Sequence, residues 1–213
     1  LEYSKQLDSR IDWIHRRTGD SDFYFIVNSS DTNLDTDFRF RITGMEPEIW
    51  DPLTGLTSPC GYSNTDHATV VPLSLEAGES LFVVFRRKAG SNEKAEEKST
   101  YVQLAKISGP WDLGFPAGTG APEKAVFSNL EPWTANENEG IRYFSGTATY
   151  KNTFKVPGAW LKPGMKLFLD LGQVADMAEV IINGNNAGLL WTSPFRTNIT
   201  GLIKKGVNVI EIR

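Results

Sequence analysis

The chain is predicted to be all-β, arranged as two β-sandwich domains, and three observations carry that reading. Short apolar runs bounded by turn signals recur along most of its 213 residues. Many of these runs alternate with period two, and only marginal helix candidates stand among them. A polar stretch without apolar periodicity, AGSNEKAEEKST, separates two such β-patterned regions. The expected organisation is a first sandwich over 1–88, a polar linker over 89–100 and a second sandwich over 101–213. A short helix is the alternative for the linker, because Glu and Lys dominate its centre.

In the first region, FYFIVN (23–28) and LFVVF (81–85) are apolar on both alternating faces, the pattern of strands covered from two sides. FRFRI (38–42) sends Phe38, Phe40 and Ile42 one way and Arg39 and Arg41 the other. ATVVPLSL (68–75) carries Pro72, which favours an edge strand or a bulge because proline has no N–H for the ladder. DPLTG (51–55) and EAGE (76–79) supply turns between these runs.

The second region repeats the pattern with different details. In YFSGTATYKNTFKV (143–156), Phe144, Ala148, Tyr150, Phe154 and Val156 share one parity, which predicts a long half-exposed strand bent near Gly146. KLFLDLG (166–172) points Leu167, Leu169 and Leu171 inward together. The run MAEVII ends in Asn183-Gly184, a strong hairpin signal because a type I′ turn needs positive φ at both central positions. This number of strands fits a jelly-roll sandwich.

Composition narrows the function. A net charge of -4 and a pI near 5.3 argue against a nucleic-acid or anionic-membrane partner, each of which selects a basic face. No apolar run is long enough to span a bilayer, and no signal peptide is visible. Cys60 is the single cysteine, which excludes an intrachain disulfide and a cysteine metal cluster. The chain opens at Leu1 and stops inside a strand-like run, and it reads as a piece of a longer protein.

Two sets of motifs carry a family resemblance. GTATYKNTFKVP (146–157) resembles the sugar-binding signature of family 2-type glycoside hydrolases. LDLGQVADMAEVIINGNNAG (169–188), followed by PFRTNIT and GVNVIEI, resembles its continuation. The chain departs from that pattern at LLWTSPF, where the family usually has a glycine-rich loop. IDWIHRRTGDSDFYFIVN (11–28), PEIWDPLTG (47–55), LFVVFRR (81–87), GPWDLGF (109–115) and LLWTSPFR (189–196) resemble the C-terminal region of bacterial α-L-rhamnosidases of glycoside hydrolase family 106. The resemblance implies that the second domain is a galactose-binding-like jelly roll. It also implies a catalytic barrel elsewhere in the parent chain, which would carry the acid/base carboxylates. The expected function is then a non-catalytic accessory or carbohydrate-binding region that supports the barrel and contacts glycan. The implied partners are that barrel and a plant-type polysaccharide or oligosaccharide, and the implied location is periplasmic or secreted. The alternatives are an autonomous carbohydrate-binding module and purely structural sandwiches without ligand.

Candidate site residues follow from what each chemistry requires. Aromatic faces stack on the C–H faces of pyranose rings while neighbouring polar groups bind hydroxyls. Trp191 is the stacking candidate, with Arg196, Asn183, Asn185 and Asp176 as polar candidates; packing is the alternative for Trp191, and the needs of the turn for Asn183. Trp111 and Trp133 read as packing residues. His15 and Arg16, in the WIHRR run, are candidates for a loop facing the catalytic module, with an exposed basic turn or a structural histidine as the alternative. Hydrolysis needs two carboxyl groups in different protonation states. Asp170, Asp176 and Glu179 cluster in sequence but read as strand ends and a loop cap, so no catalytic residue is assigned. DTNLDTD (31–37) spaces oxygens like a calcium loop but lacks the Gly and Glu of the EF-hand pattern, so no metal or cofactor is assigned and a structural calcium has no further support. Asn28-Ser-Ser and Asn198-Ile-Thr match the N-glycosylation acceptor pattern.

Overall fold

The structure is a computed structural model that describes residues 1–95 and 101–213. Strands hold 45% of the chain and helices 6%, so the chain is all-β as the alternating patterns require. It divides into two compact units, 1–101 and 102–213.

The first unit contains β1 (Ile11–Thr18), β2 (Ser21–Asn28), β3 (Leu34–Phe40), β4 (Met45–Trp50), β5 (Thr57–Pro59), β6 (Tyr62–Asn64), β7 (Thr69–Leu75), β8 (Ser80–Lys88) and β9 (Glu93–Lys94). One sheet has the order β1-β2-β8-β4-β5 and the other β3-β7-β6-β9. Every pairing is antiparallel. The inward residues of the two sheets share one core: Ile26, Val83 and Phe85 from the first, and Phe38, Phe40 and Val71 from the second, all fully buried. Each buried phenylalanine contributes about 1.5–3 kcal/mol through the water it leaves. Pro72 sits on β7, an interior strand by order. Because β6 reaches only Thr69 and Val70, β7 has an open edge at Pro72 where a missing N–H costs little.

The segment expected to be a polar linker is partly a strand. Glu93–Lys94 pairs with Tyr62 and Ser63 at the edge of the second sheet, and Lys94 Nζ lies 3.2 Å from Glu46 Oε1. The remainder of the expected linker, 96–100, lies outside the described residues.

The second unit contains β10 (Trp111–Gly114), β11 (Lys124–Phe127), the single-turn helix α1 (Glu139–Arg142), β12 (Thr149–Val156), β13 (Phe168–Asp170), β14 (Ala178–Ile182), β15 (Asn185–Leu190), β16 (Arg196–Asn198) and β17 (Gly206–Ile212). A six-stranded sheet, β11-β10-β12-β17-β14-β15, and a two-stranded sheet, β13-β16, supply one core. Trp111, Leu113, Val180, Ile182 and Ile210 come from the larger sheet and Leu169 from the smaller. Leu167 and Leu169 face this core and Leu171 packs against it, as their shared parity predicts.

The long strand expected over 143–156 is shorter than its pattern suggests. Gly146 takes φ +147, which breaks the extended run, and β12 begins at Thr149. Phe144 and Ala148 still reach the core from the irregular stretch, so parity reported burial correctly while overstating the strand. The Asn183-Gly184 turn has φ +52 and +81, the two positive values of a type I′ hairpin.

Each unit has a buried asparagine that ties loops to strands. Asn28 Nδ2 donates to the carbonyls of Thr32 (2.8 Å), Leu75 (3.3 Å) and Glu76 (2.8 Å), and its Oδ1 accepts from Ser30. Its side chain is therefore enclosed and engaged, and is not available as a glycan acceptor. Asn208 Nδ2 donates to the carbonyls of Lys204 (2.8 Å) and Gly206 (3.0 Å), while its Oδ1 accepts from Lys204 N (2.9 Å) and Asn183 Nδ2 (2.8 Å).

Candidate functional site

The candidate sugar-contacting residues of the second unit fall at two ends of one hairpin. Ala178 pairs with Leu190 and Ile182 with Asn185, so the 183–184 turn is at one end and Met177 and Trp191 flank the other. From Asn185 to Leu190 the strand spans about 17 Å. Trp191 opens the loop 191–195 and is 60% exposed, with Met177 at 61% and Leu189 at 55%. Asp176 is exposed beside Met177. Trp191 is therefore a surface residue, whereas Trp111 is 3% exposed in the core and Trp133 packs against it.

Arg196 follows this loop on β16, opposite Asp170 of β13. Its Nε and a terminal nitrogen reach Asp170 Oδ2 at 3.2 and 2.9 Å. Asp170 Oδ1 accepts from Gly172 N at 2.8 Å, which fixes the carboxylate by a short turn. Arg196 is largely covered and Asp170 half-exposed, so the pair presents a held carboxylate edge to solvent. Sequence spacing alone gave Asp170 no such role; its signal was the strand register that sets it opposite Arg196.

Asn183 and Asn185 lie at the far end and serve the turn. Asn183 Nδ2 donates to Leu202 O (2.9 Å) and Asn208 Oδ1 (2.8 Å), and its Oδ1 accepts from Val209 N (3.0 Å). Asn185 Nδ2 donates to Asn183 O at 3.3 Å. The hydrogen-bonding capacity of Asn183 is engaged within the protein.

In the first unit His15 and Arg16 point to opposite faces of β1, as neighbours on a strand must. His15 stacks on Tyr24, with ring centroids 4.2 Å apart, and its Nε2 is 2.6 Å from Asp22 Oδ1. Tyr24 is held above its ordinary pKa, chiefly by burial and secondarily by Asp22. Arg16 lies on the outer face of the sheet. The register builds two rows there: Arg16–Phe23–Val84–Glu48–Pro59 and Ile14–Phe25–Phe82–Trp50–Thr57. Phe25 and Phe82 approach to 4.8 Å, and Phe23 meets Trp50 edge-on at 5.8 Å. Glu48, 3% exposed, accepts from Trp50 Nε1 (3.1 Å), Arg86 Nε (2.9 Å) and Arg87. The Arg86 guanidinium also stands over the Trp50 ring, 5.2 Å from its centroid. The two-faced apolar pattern of 23–28 and 81–85 is thus explained: one face enters the core and the other forms this aromatic surface around the buried Glu48 carboxylate and its half-exposed arginines.

Among the carboxylates, Glu211 is held below its ordinary pKa, first by its hydrogen bond from Lys151 and also by Arg213, against an opposing push from burial. That is the reverse of what a general acid needs. In the 31–37 segment, Asp35 and Asp37 belong to β3, and Asp35 accepts from Ser74. Among the described residues no three His, Cys, Asp or Glu side chains gather as a metal would require, and no helix is long and apolar enough to cross a membrane.

Comparison with known proteins finds these units similar to segments of glycoside hydrolases. The family model described as α-L-rhamnosidase, glycoside hydrolase family 106, matches residues 1–64. The structure of a rhamnosidase from Novosphingobium sp. PP1Y superposes with a TM-score of 0.86 at 38% identity, covering 95% of this chain and 19% of that one. A curated protein of Formosa agariphila named "Putative beta-glucuronidase" is 49% identical over 107 residues, which are 50% of this chain and 9% of that protein. The chain is related to glycoside hydrolases and has the fold of a rhamnosidase segment. It spans a fifth or less of the length of these relatives.

Proposed function

We propose that this chain is the non-catalytic accessory region of an α-L-rhamnosidase-like glycoside hydrolase, one that acts on plant-type glycans outside the cytoplasm. The observation that carries the reading is the likeness to the Novosphingobium rhamnosidase, which runs through 95% of this chain yet accounts for 19% of that one. The outer face of the β1-β2-β8-β4-β5 sheet supports it. Aromatic side chains at Phe23, Phe25, Trp50 and Phe82 on a sheet's second face are what a strand pattern carries where another module covers it. In this reading the catalytic barrel of the parent chain docks there and holds the acid/base carboxylates. The first domain, 1–88, supports the barrel, and 101–213 is a galactose-binding-like jelly roll that follows the polar segment 89–100.

The test is release of 4-nitrophenol from its α-L-rhamnoside by the 213-residue chain and by the parent protein. Turnover is expected from the parent alone. Turnover by this chain alone would refute the accessory role.

A second reading, an autonomous carbohydrate-binding module, rests on the 60% exposure of Trp191 at the head of the loop that leads to the fixed Arg196–Asp170 pair. Calorimetric titration with pectic oligosaccharides separates it. Saturable heat that disappears in Trp191→Ala supports a module, and its persistence in that variant removes the stacking role.

A further inference from the structure

We propose that a groove on the second unit, lined by Lys106, Ser108, Thr153, Phe154, Lys155 and Trp160, binds an anionic saccharide residue through its carboxylate or sulfate ester. The proposal deepens the carbohydrate reading above and rests on it for the sugar, while the charge preference comes from the groove itself.

The groove arises from strand geometry. β10 pairs with β12 only as far as Asp112 opposite Lys151. Beyond that point the segment 105–108 runs beside β12 without a ladder, anchored by a 2.8 Å hydrogen bond from Asn152 Nδ2 to Ser108 O. The gap between them is a hollow of about 240 Å³, open to solvent and below the range of drug-sized sites.

Its lining fits a charged sugar better than a neutral or purely apolar ligand. Phe154 and Trp160, half-buried and packed against the core, form the inner wall; Ser108 supplies a hydroxyl, and Thr153 and Lys155, of the opposite parity on β12, line the outer side of the gap. Lys106 and Lys155 are exposed on the rim, and neither forms an ion pair among the described residues. The stem of Lys205 runs over Gly158, two residues before Trp160, and Lys205 likewise forms no ion pair among the described residues. The charge is local: the whole chain carries -4, yet from Val102 onward eleven Lys and Arg stand against nine Asp and Glu. Ammonium groups around such a hollow select an anion and speed its arrival.

The test is an NMR titration of the ¹⁵N-labelled chain with three probes of equal length: a glucuronate-terminated disaccharide, a monosulfated disaccharide and their neutral counterpart. At least one anionic probe is expected to shift the Trp160 indole and the amides of 105–108 and 153–155, and the pair of anionic probes tells carboxylate from sulfate. Binding should weaken about three- to five-fold in Lys106→Gln or Lys155→Gln, the scale of an exposed charge contact, and further when salt is raised from 50 to 500 mM. Both substitutions are at exposed side chains, and an unchanged spectrum elsewhere confirms the fold of each variant. Equal shifts with the neutral probe, or none in the groove with either anion, overturn the proposal. Shifts confined to the Trp191 loop overturn it while leaving the carbohydrate reading standing. No shift anywhere with any of the three probes counts against both.

Discussion

Replacing Asn208 with alanine tests whether the hairpin asparagines are architectural. Asn208 is fully buried and makes four hydrogen bonds, two donated to loop carbonyls and two accepted from Lys204 N and Asn183 Nδ2. A net contribution near 1 kcal/mol per bond gives a loss of about 3–4 kcal/mol, since the truncated side chain offers nothing in return. With a urea slope of about 1.5 kcal/mol/M, the midpoint of the second unit should fall by roughly 2 M. The assay is a urea titration read by hydrogen exchange in peptides covering 183–190 and 202–210, which isolates the second unit from the first. Asn208→Asp should be destabilised most at neutral pH, where a carboxylate faces the Lys204 and Gly206 carbonyls, and should recover as acid protonates it. A midpoint shift under about 0.5 M for Asn208→Ala would refute the reasoning. The hub would then be incidental to the stability of the second unit.

Four further outcomes are expected. Asn183→Gly keeps a residue that tolerates φ +52 but removes three hydrogen bonds, so it should cost about 2 kcal/mol by urea titration; a neutral result would make the turn conformation its only role. Glu48→Ala strips the partner from Arg86, Arg87 and Trp50, but the guanidiniums are 44% and 62% exposed and can rehydrate. The loss measured in the first unit should therefore be about 1–2 kcal/mol rather than the 3–5 of a fully buried pair. Gly140→Ala, a substitution that usually strengthens a helix, should here lower the melting temperature, because the new Cβ would lie 2.1 Å from Gly120 O and 2.9 Å from Gly120 C. The depressed pKa of Glu211 contributes stability above its ordinary value of 4.5, and that contribution is lost as pH falls through the lower folded value. Denaturation midpoints between pH 6 and pH 2.5 should drop less steeply in Glu211→Gln than in the native chain.

Most of the architecture was legible because alternation is a direct statement about burial. Phe38 and Phe40 against Arg39, and Leu167 with Leu169, gave the inward face without knowledge of the partner strand. The Asn183-Gly184 turn was legible because its φ values admit few residue types. What failed was local pairing. The Glu93–Lys94 strand has no apolar alternation, since it binds through its backbone at a sheet edge, and Gly146 stopped β12 short although the parity on both sides stayed in phase. The lysine groove was invisible for the same reason. Lys106 and Lys155 are 49 residues apart in a chain of net negative charge, and only the end of the β10–β12 ladder brings them together.

The candidate site was harder to read than the fold, and the hairpin shows why. Asn183, Asn185 and Trp191 fall within nine residues, which in a tight loop could gather them into one site. A strand carries its ends apart at about 3.4 Å per residue, so residues that share a hairpin need not share an end. The residues that the register returns to the Trp191 end are Asp176 and Met177, just before β14, while Arg196 and its partner Asp170 follow beyond the loop. The same logic separates His15 from Arg16. Adjacent in sequence, they serve opposite faces, the first closing over Tyr24 and the second joining the aromatic rows around Glu48. If the catalytic module docks on those rows, Arg16 and Trp50 are the side chains through which this chain acts on the enzyme. Substituting His15 should then change stability without changing the parent's KM.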